Sequence, residues 1–411
     1  MKIEQLKNKK ILILGYGIEG KATHQFLKKF APDSLIGIAD QKDGPDYLEK
    51  QKEYDLVIKS PGIPKQLVTA AHTTATNIFF ANAQKPIIGI TGTKGKSTTT
   101  TLIHAMLKEG GYDARLCGNI GKPMLDEISK PVGDKTVYVV ELSSYQLDDI
   151  THSPHISLIL NLFPEHMDYH GSFEAYKAAK KNIIKYSTGR DYFVYNPRYP
   201  ELLELASTTA AKSVPFVEVL PFLKDIIPLK GEHNFDNVRA ACTVAKLMNV
   251  SDESIVKAVK NFRSLPHRLE FVGNFHGIDF YDDAISTTPE STIQALEAIP
   301  NVETIFLGGK DRGYDFSSLA QKLVSSEIKN IVLFPDSGEK IDQELRKFKI
   351  ENLKLKILET KEMREAVRFA YEHTSPGKAV LLSCASPSYS IWKNFEEKGD
   401  LFKKFVKELA R

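Results

Sequence analysis

The stretch GITGTKGKSTTTTLI, residues 89–103, joins an apolar run to a helical pattern through a glycine-rich loop. The common phosphate-binding loop reads G-x-x-x-x-G-K-[ST], whereas Gly92 and Gly95 are separated by only two residues before Lys96 and Ser97. A strand, a loop and a helix N-terminus together make an anion site, because backbone N–H groups and the positive end of the helix face the ligand. The stretch therefore predicts a phosphate cradle in which Lys96 adds charge and the Ser97 hydroxyl holds Mg²⁺. A glycine turn with an exposed lysine is the purely structural alternative.

Short apolar runs alternate with amphipathic helical patterns along most of the chain, which is typical of α/β domains with parallel sheets. The runs are ILILG (11–15), LIGIAD (35–40), LVIKS (56–60), IIGIT (87–91), VYVVEL (137–142), ISLILNL (156–162), TIFLGG (304–309), IVLF (331–334) and AVLLS (379–383). We expect a Rossmann-like N-terminal domain over residues 1–85, a central ATPase-type α/β domain over 86–264 and a C-terminal Rossmann-like α/β domain over 265–411. The last begins with a hairpin pattern, LEFVGNFHGIDFYDD (269–283).

The bulk properties exclude several classes of protein. The chain has 411 residues, of which 42% are hydrophobic, and this composition is typical of a globular protein. Its net charge of only +3 argues against a dominant nucleic-acid-binding surface. Its three cysteines contain no C-x-x-C pair, which suits a reducing compartment. No apolar run reaches the length of a membrane span, and the N-terminus lacks a signal-peptide pattern. We therefore expect a cytoplasmic protein.

The first domain carries GYGIEG, which places Gly15, Gly17 and Gly20 directly after a strand, and Asp40 follows the next strand. In a Rossmann-type site such glycines let the backbone approach a pyrophosphate, and the acid reaches a ribose hydroxyl. The motif alone is weak. It predicts a nucleotide or nucleotide-sugar ligand, with a tight structural turn as the alternative.

Acidic and imidazole side chains follow two strands of the central domain. Glu141 ends VYVVEL, and His166 lies just beyond ISLILNL with Glu165 and Asp168 beside it. Such residues at strand ends near a phosphate loop are natural ligands of the Mg²⁺ that accompanies ATP. The helix that follows carries several lysines, whose plain interpretation is a solvated basic face, and composition does not separate one from another: Lys177, Lys180, Lys181 and Lys185.

Seven motifs in order resemble the Mur ligases of bacterial cell-wall synthesis, over nearly the whole chain. They are GTKGKST (92–98), GNIG (118–121), ELSSYQL (141–147), EHMDYHGSFEAYKAAK (165–180), GEHNFDNVRAA (231–241), LPHRLEF (265–271) and KNFEEKGDLF (393–402). In that family the short loop spacing is normal. Within it, the motifs are most like those of the members that add D-glutamate to UDP-N-acetylmuramoyl-L-alanine, using ATP and two Mg²⁺.

The resemblance implies a role for each matching residue. The implied catalytic residues are Lys96, Glu141, His166 and Lys180, and the implied metal ligands are Ser97, Glu141, His166 and Lys180 once it is carbamylated. The implied ATP site comprises Gly92, Thr93, Lys94, Gly95, Lys96, Ser97, Thr98, Asn234, Asn237, Arg268 and Asp283. The implied UDP-substrate site comprises Gly15, Gly17, Ile18, Glu19, Gly20, Asp40, Ser60, Gly62 and Asn119. The implied amino-acid site comprises Thr287, Arg312, Ser388 and Trp392. The resemblance also implies a monomer that acts on small molecules, with no nucleic acid and no membrane span.

The chain departs from the family pattern at three positions on the amino-acid side. Ile285 stands where the family often has lysine, Arg312 replaces a common lysine, and Trp392 occupies a usual phenylalanine position. Arginine keeps the charge but changes the donor geometry. L-Glutamate therefore stays open as the alternative amino acid. A folylpolyglutamate synthase-like ligase and a nucleotide-dependent switch are more distant alternatives.

Overall fold

The computed structural model describes residues 1–217, 223, 227, 232–263, 265–348 and 355–410, apart from the side chains of Asp168 and His233. These residues form two compact units. The first holds the described residues of Met1–Ile227 and His233–Phe262, and the second holds those of Pro228–Glu232 and Arg263–Arg411. The α/β class with three sheets agrees with the prediction, and two of the sheets lie in the first unit.

The N-terminal sheet has the strand order β2-β1-β3-β4, and every pairing is parallel. Its elements are β1 (Lys10–Leu14), α1 (Ile18–Phe30), β2 (Leu35–Ala39), β3 (Leu56–Lys59), β4 (His72–Thr74) and α2 (Ala75–Asn82). The side chains of β1 are buried from Ile11 to Leu14, because the helices and loops cover both faces of a parallel sheet.

The central sheet has the order β10-β9-β8-β5-β7-β6, again with parallel pairings only. Its strands are β5 (Ile87–Thr91), β6 (Asp113–Gly118), β7 (Thr136–Glu141), β8 (Ile156–Ile159), β9 (Tyr192–Tyr195) and β10 (Lys212–Pro215). Its helices are α3 (Lys96–Glu109), α4 (Met124–Ile128), α5 (Ser144–Leu147), α6 (Met167–His170), α7 (Phe173–Lys181), α8 (Pro200–Thr208), α9 (Glu232–Leu247) and α10 (Asp252–Asn261).

Helix α2 joins the two sheets of the first unit into one core. All but its last residue are buried, and the ring of Phe79 meets Tyr138 of β7 edge-on at 5.2 Å. A buried ion pair supports the same junction, with Lys59 Nζ 2.8 Å from Asp149 Oδ2. These contacts place the ends of β1 and β3 on the same unit as the central sheet.

The sheet of the second unit has the order β11-β12-β16-β13-β14-β15, in which only β11 and β12 pair antiparallel. Its strands are β11 (Glu270–Phe275), β12 (Ile278–Asp282), β13 (Val302–Gly308), β14 (Asn330–Phe334), β15 (Lys356–Glu359) and β16 (Ala379–Leu382). Its helices are α11 (Pro289–Ala298), α12 (Ser317–Val324), α13 (Ser337–Arg346), α14 (Met363–His373) and α15 (Phe395–Leu409). The antiparallel pair confirms the predicted hairpin.

Every apolar run identified in the sequence is a strand, and the helix predicted after the phosphate loop begins at Lys96. Five parallel strands were not predicted, namely β4, β6, β9, β10 and β15. Four of them lack a strong apolar signature, whereas β9 (YFVY) is apolar and was overlooked. The boundaries near residues 85 and 264 stay predictions. No helix among the described residues combines the length and the apolar character that crossing a membrane requires.

Candidate active site

The candidate site lies at the carboxyl end of β5, which β7 and β8 flank on either side. Residues that follow these three strands meet at one edge of the sheet, because parallel strands end on the same side. The loop Gly92–Gly95 leaves β5 there and enters α3 at Lys96. The structure therefore has the strand, loop and helix that the sequence predicted.

Asn161, two residues after the end of β8, holds this loop in place. Its Oδ1 accepts hydrogen bonds from the backbone N–H of Thr93 at 3.0 Å and of Lys94 at 2.9 Å, and its Nδ2 donates to the Lys94 carbonyl at 3.1 Å. Tyr176 adds a hydrogen bond from its hydroxyl to Thr93 Oγ1 at 3.0 Å. Sequence reasoning missed Asn161, although a polar residue at the end of an apolar strand was the available signal.

Gly95 lies where a side chain has no room. It adopts a φ of +83°, and a Cβ there would approach Oδ1 of Asn237 to 2.2 Å. Asn237 Nδ2 in turn donates to Asn234 Oδ1 at 3.0 Å, and Thr99 Oγ1 donates to Asn237 at 3.2 Å. Of the two asparagines that the family resemblance assigns to adenine, Asn237 thus lies against the phosphate loop and Asn234 is hydrogen-bonded to Asn237.

The two lysines of the loop have different partners. Lys96 Nζ donates to the carbonyls of Gly92 at 2.9 Å and Thr93 at 2.8 Å, which keeps its charge within the loop. Lys94 Nζ pairs with Glu165 Oε1 at 2.8 Å. Burial works to raise the pKa of Glu165, but the ion pair and hydrogen bond from Lys94 hold this pKa below its ordinary value. Ser97 is buried at the first turn of α3, beside the exposed edge of the loop.

Glu141 is the buried carboxylate of the site. It ends β7, is 1% exposed, and its Oε1 accepts a hydrogen bond from Asn119 Nδ2 at 2.7 Å. Its Oε2 is buried and has no hydrogen-bond partner among the described residues. A buried carboxylate oxygen without a donor is costly unless a cation compensates it. Together with the Ser97 hydroxyl, this donor set fits a hard oxygen-seeking ion such as Mg²⁺.

Lys180 does not belong to a solvated basic face. It is 1% exposed, and its Nζ donates to Thr91 Oγ1 at 3.2 Å and to the Gly92 carbonyl at 2.8 Å. Burial lowers the pKa of Lys180 well below its ordinary value, and the charge of Lys96 lowers it further. The structure thus separates Lys180 from the other lysines of α7, which composition left undistinguished.

His166 lies in the left-handed region of backbone space, with φ 57° and ψ 37°, just before the four-residue helix α6. Its Nδ1 is 2.9 Å from the hydroxyl oxygen of Tyr145. Non-glycine residues in this conformation are strained, and such strain is concentrated at functional sites. The sequence analysis gave Tyr145 no role.

The predicted nucleotide turn of the N-terminal sheet is also formed. Gly15 has a φ of +88°, and its carbonyl accepts a hydrogen bond from Ser60 Oγ at 2.9 Å. A Cβ at Gly20 would approach that same carbonyl to 2.2 Å. Asp40 accepts hydrogen bonds from the backbone N–H of Tyr16 at 2.6 Å and Lys42 at 3.2 Å, and these bonds lower its pKa. Three further members of the predicted site are exposed on the same turns: Gly17, Ile18 and Gly62.

Glu19, also assigned to the UDP-substrate site, contacts a residue of the central domain. Gln146 Nε2, on α5, donates to its Oε2 at 3.5 Å, and its Oε1 is buried with no hydrogen-bond partner among the described residues. Burial raises the pKa of Glu19 to about 7, although Gln146 and the charge of Lys59 oppose that shift. The geometry therefore makes Glu19 a junction residue within the first unit.

The predicted ATP and amino-acid residues of the second unit lie near the carboxyl ends of its parallel strands. Asp283 follows β12, accepts hydrogen bonds from Ser383 Oγ at 2.8 Å and from the Leu269 N–H at 3.2 Å, and has a pKa that burial raises to about 6. Asp282 beside it lies 2.7 Å from His267 Nδ1. The backbone of Arg268 is thus held between two buried aspartates.

The expected amino-acid residues differ in exposure. Ser388 is buried, and its Oγ has no hydrogen-bond partner among the described residues, which fits a ligand contact. Trp392 is only 6% exposed and packs edge-on against Phe334 at 4.9 Å, so it belongs to the core of the second unit. Arg312 is exposed on the loop after β13, and Thr287 is half-buried just before α11.

Two family models match the chain. The Mur ligase middle domain matches residues 90–220, and the Mur ligase glutamate ligase domain matches residues 267–386. The chain is 34% identical to UDP-N-acetylmuramoylalanine–D-glutamate ligase of Streptococcus mutans, with 97% of each chain covered. It is also 34% identical to the enzyme of that name from Streptococcus thermophilus, with 99% of each covered.

Solved structures agree on the fold. A MurF ligase from Thermotoga maritima in complex with ADP superposes with a TM-score of 0.62, at 15% identity, covering 99% of this chain and 97% of that one. UDP-N-acetylmuramate–alanine ligase MurC from the same organism gives a TM-score of 0.61 at 18% identity, covering 98% of this chain and 100% of that one.

Proposed function

The chain belongs to the Mur ligase family, and on that premise we propose that it joins D-glutamate to UDP-N-acetylmuramoyl-L-alanine at the expense of ATP. Relatives that carry this activity in their name match it over 97–99% of both chains. The observation that carries the chemistry is the buried Glu141, whose unpartnered oxygen lies at a strand end beside the phosphate loop. The reaction serves peptidoglycan precursor synthesis.

The reaction proceeds in two steps. The substrate carboxylate attacks the γ-phosphorus of ATP, the bond to ADP breaks, and an acyl phosphate forms. The amine of D-glutamate, after losing a proton, attacks the acyl carbon, and the tetrahedral intermediate expels phosphate to leave an amide. Phosphorylation is required because a free carboxylate would have to expel oxide, a very poor leaving group.

The chain contributes mainly positioning and charge, as is usual in phosphoryl transfer. The backbone N–H groups of Gly92–Gly95 and the N-terminus of α3 receive the phosphates, and Lys96 exchanges its loop carbonyls for phosphate oxygens. Glu141, Ser97 and His166 would hold Mg²⁺, which supplies neutralisation of the phosphate charge. Asn237, which lies against the loop, and Asn234, which is hydrogen-bonded to Asn237, would contact the adenine.

Lys180 has a distinct role in the proposal. A lysine with a lowered pKa offers a neutral amine, and that amine adds to CO₂ with loss of a proton to give a carbamate anion. The carbamate would place a buried negative charge beside the phosphate loop, where it could hold a second Mg²⁺. On the second unit, the family resemblance assigns Arg268 and Asp283 to ATP, and Thr287, Arg312 and Ser388 to the amino acid. Trp392 supports these last residues from the core of that unit.

The remaining parts of the proposal follow the family. We place the domain boundaries near residues 85 and 264, and the UDP moiety at the turn that contains Gly15, Gly17, Gly20 and Asp40, with Ser60, Gly62 and Asn119 nearby. We also propose a monomer that works in the cytoplasm on small-molecule substrates.

Phosphate release tests the activity. The purified protein is given ATP, Mg²⁺, UDP-N-acetylmuramoyl-L-alanine and a panel of amino acids that includes both enantiomers of glutamate. Among the amino acids tested, we expect only D-glutamate to give rapid phosphate release. Equal turnover of L-glutamate would overturn the stereochemical assignment, and ADP release without any acceptor would favour a nucleotide switch.

A further inference from the structure

A cluster of rings surrounds His166 at the carboxyl edge of the central sheet. Tyr145 meets the His166 ring at a centroid distance of 5.0 Å, and its hydroxyl oxygen is 2.9 Å from Nδ1. Tyr169 packs edge-on against Tyr145 at 4.5 Å, and His170 stacks on it at 5.7 Å. The Tyr145 ring is therefore wedged between two neighbours while its hydroxyl reaches His166.

Tyr145 belongs to the same chain segment as the other implied metal ligand. Glu141 ends β7, and only three residues later the short helix α5 begins with Ser144. Ser143 caps this helix, because its Oγ accepts a hydrogen bond from the Gln146 N–H at 3.2 Å and its own N–H donates to Gln146 Oε1 at 3.0 Å. His170 Nε2 lies 3.0 Å from Ser144 Oγ. One rigid turn thus carries Glu141 and directs the Tyr145 hydroxyl.

The hydrogen bond at Nδ1 decides which ring nitrogen of His166 is available to a metal ion. A neutral imidazole has one protonated nitrogen and one lone pair, and a metal binds only the lone pair. Because Nδ1 faces the tyrosine hydroxyl, coordination of a metal ion by this ring would use Nε2. That requires Nδ1–H to donate to the tyrosine oxygen, a partner that fixes the tautomer and the ring orientation.

We propose that Tyr145 is a positioning residue that accepts a hydrogen bond from His166 Nδ1 and thereby presents Nε2 to the metal ion that accompanies ATP. This inference rests on the proposed function, since it concerns His166 as a metal ligand. His166 needs such a partner because its side chain is exposed and its backbone is strained. The 2.9 Å contact between Nδ1 and the Tyr145 hydroxyl oxygen can fix the orientation of the ring.

Mn²⁺ binding tests the proposal without relying on turnover. Mn²⁺ is titrated in the presence of a non-hydrolysable ATP analogue, free Mn²⁺ is followed by its electron paramagnetic resonance signal, and a titration of the analogue alone is subtracted. The proteins compared are the parent, Tyr145→Phe, His166→Ala and Tyr169→Phe. The last is the matched control, because its hydroxyl lies in the same ring cluster but donates to the Pro61 carbonyl at 3.3 Å.

We expect Tyr145→Phe to weaken Mn²⁺ binding about tenfold, as loss of an orienting partner does at other metal sites, and Tyr169→Phe to leave it unchanged. Unchanged binding in Tyr145→Phe, while His166→Ala binds weakly, would overturn the positioning role and leave the proposed function intact. Unchanged binding in His166→Ala would show that His166 is not a ligand, which overturns both the inference and that part of the proposed function.

A second readout separates positioning from a general structural effect. The protein is labelled with ¹⁵N-histidine and studied without metal, at a pH above the ordinary pKa of histidine, and His166 is assigned by its absence in His166→Ala. We expect the Nδ1–H tautomer in the parent and a shift towards Nε2–H in Tyr145→Phe. The same tautomer in both proteins would overturn the proposal, even if the variant were less stable.

Discussion

Asn119 Nδ2 donates a hydrogen bond to Oε1 of Glu141 at 2.7 Å, and the Asn119 N–H donates to the Glu141 carbonyl at 3.0 Å. The loop after β6 is therefore fastened to the end of β7 at the carboxylate that we assign to Mg²⁺. The amide satisfies one carboxylate oxygen and leaves the other for the ion. A residue that the family resemblance places beside the UDP substrate thus also orients a metal ligand.

Replacing Asn119 with alanine should raise the Mg²⁺ concentration needed for half-maximal phosphate release about tenfold. The reason is that Glu141 Oε1 would be left buried without the donor that orients the carboxylate. Asn182→Ala, which removes an amide that donates to the Leu147 carbonyl at 3.1 Å, is the control and should need no extra Mg²⁺. An unchanged Mg²⁺ requirement in Asn119→Ala would refute the orienting role.

Replacing Lys180 with alanine should reduce turnover at least a hundredfold, and a small carboxylic acid such as acetate should restore part of it by occupying the vacated volume. Lys177→Ala, on the same helix, should keep its activity because Lys177 pairs with Glu174 at the surface rather than with the phosphate loop. Steady-state rates with and without added acetate measure the effect. Full activity in Lys180→Ala would exclude the carbamate.

Gly95→Ala should abolish ATP binding, because the new Cβ has no space beside Asn237 and would be strained at a φ of +83°. Gly111→Ala, at the other end of α3, is the matched control. It has a similar φ of +80°, but the nearest atom to its Cβ would be 3.7 Å away. We expect the control to lose only about 1 kcal/mol of stability and to bind ATP normally in calorimetry. Equal affinities in the two variants would contradict this account.

Glu19→Gln should change how stability depends on pH. The pKa of Glu19 is raised from 4.5 to about 7 in the folded state, so its contribution to stability is complete below pH 4.5 and is lost as pH rises to about 7. The loss is at most about 3 kcal/mol. A glutamine at this position stays neutral at every pH, so the variant does not lose this stability as the pH rises.

The variant should therefore melt with the parent at acidic pH and a few degrees higher at neutral pH. Glu49→Gln, whose carboxylate is largely exposed, should follow the parent at every pH. Thermal unfolding across this range measures the difference, and parallel curves for Glu19→Gln and the parent would show that Glu19 ionises as freely as a surface acid.

Much of the fold could be read from the chain because buried parallel strands are nearly continuous apolar runs. The strands at the centre of each sheet, such as β1, β5 and β13, were found in this way. Edge strands such as β6 and β15 were missed, since half-exposed strands mix polar and apolar residues and resemble loops.

The site was predictable only where a motif has fixed spacing. Gly92, Gly95, Lys96 and Ser97 are local in sequence, so one stretch reveals them. Asn161 and Tyr145 act on that site from the segments that follow β8 and β7, and their roles depend on which strands are neighbours. For Trp392, the position in the sequence was predicted but the environment was not, because a motif does not reveal that the ring is buried against Phe334.

The sequence by itself determined the α/β class, the phosphate loop and the family, because these depend on periodicity and on the spacing of neighbouring residues. Only the tertiary structure decided that Lys180 is buried rather than solvated, that Glu19 faces Gln146, and that Tyr145 meets His166. The physical reason is that burial, pKa and hydrogen-bond partners arise from residues far apart in the chain, which only the packing of strands and helices brings together.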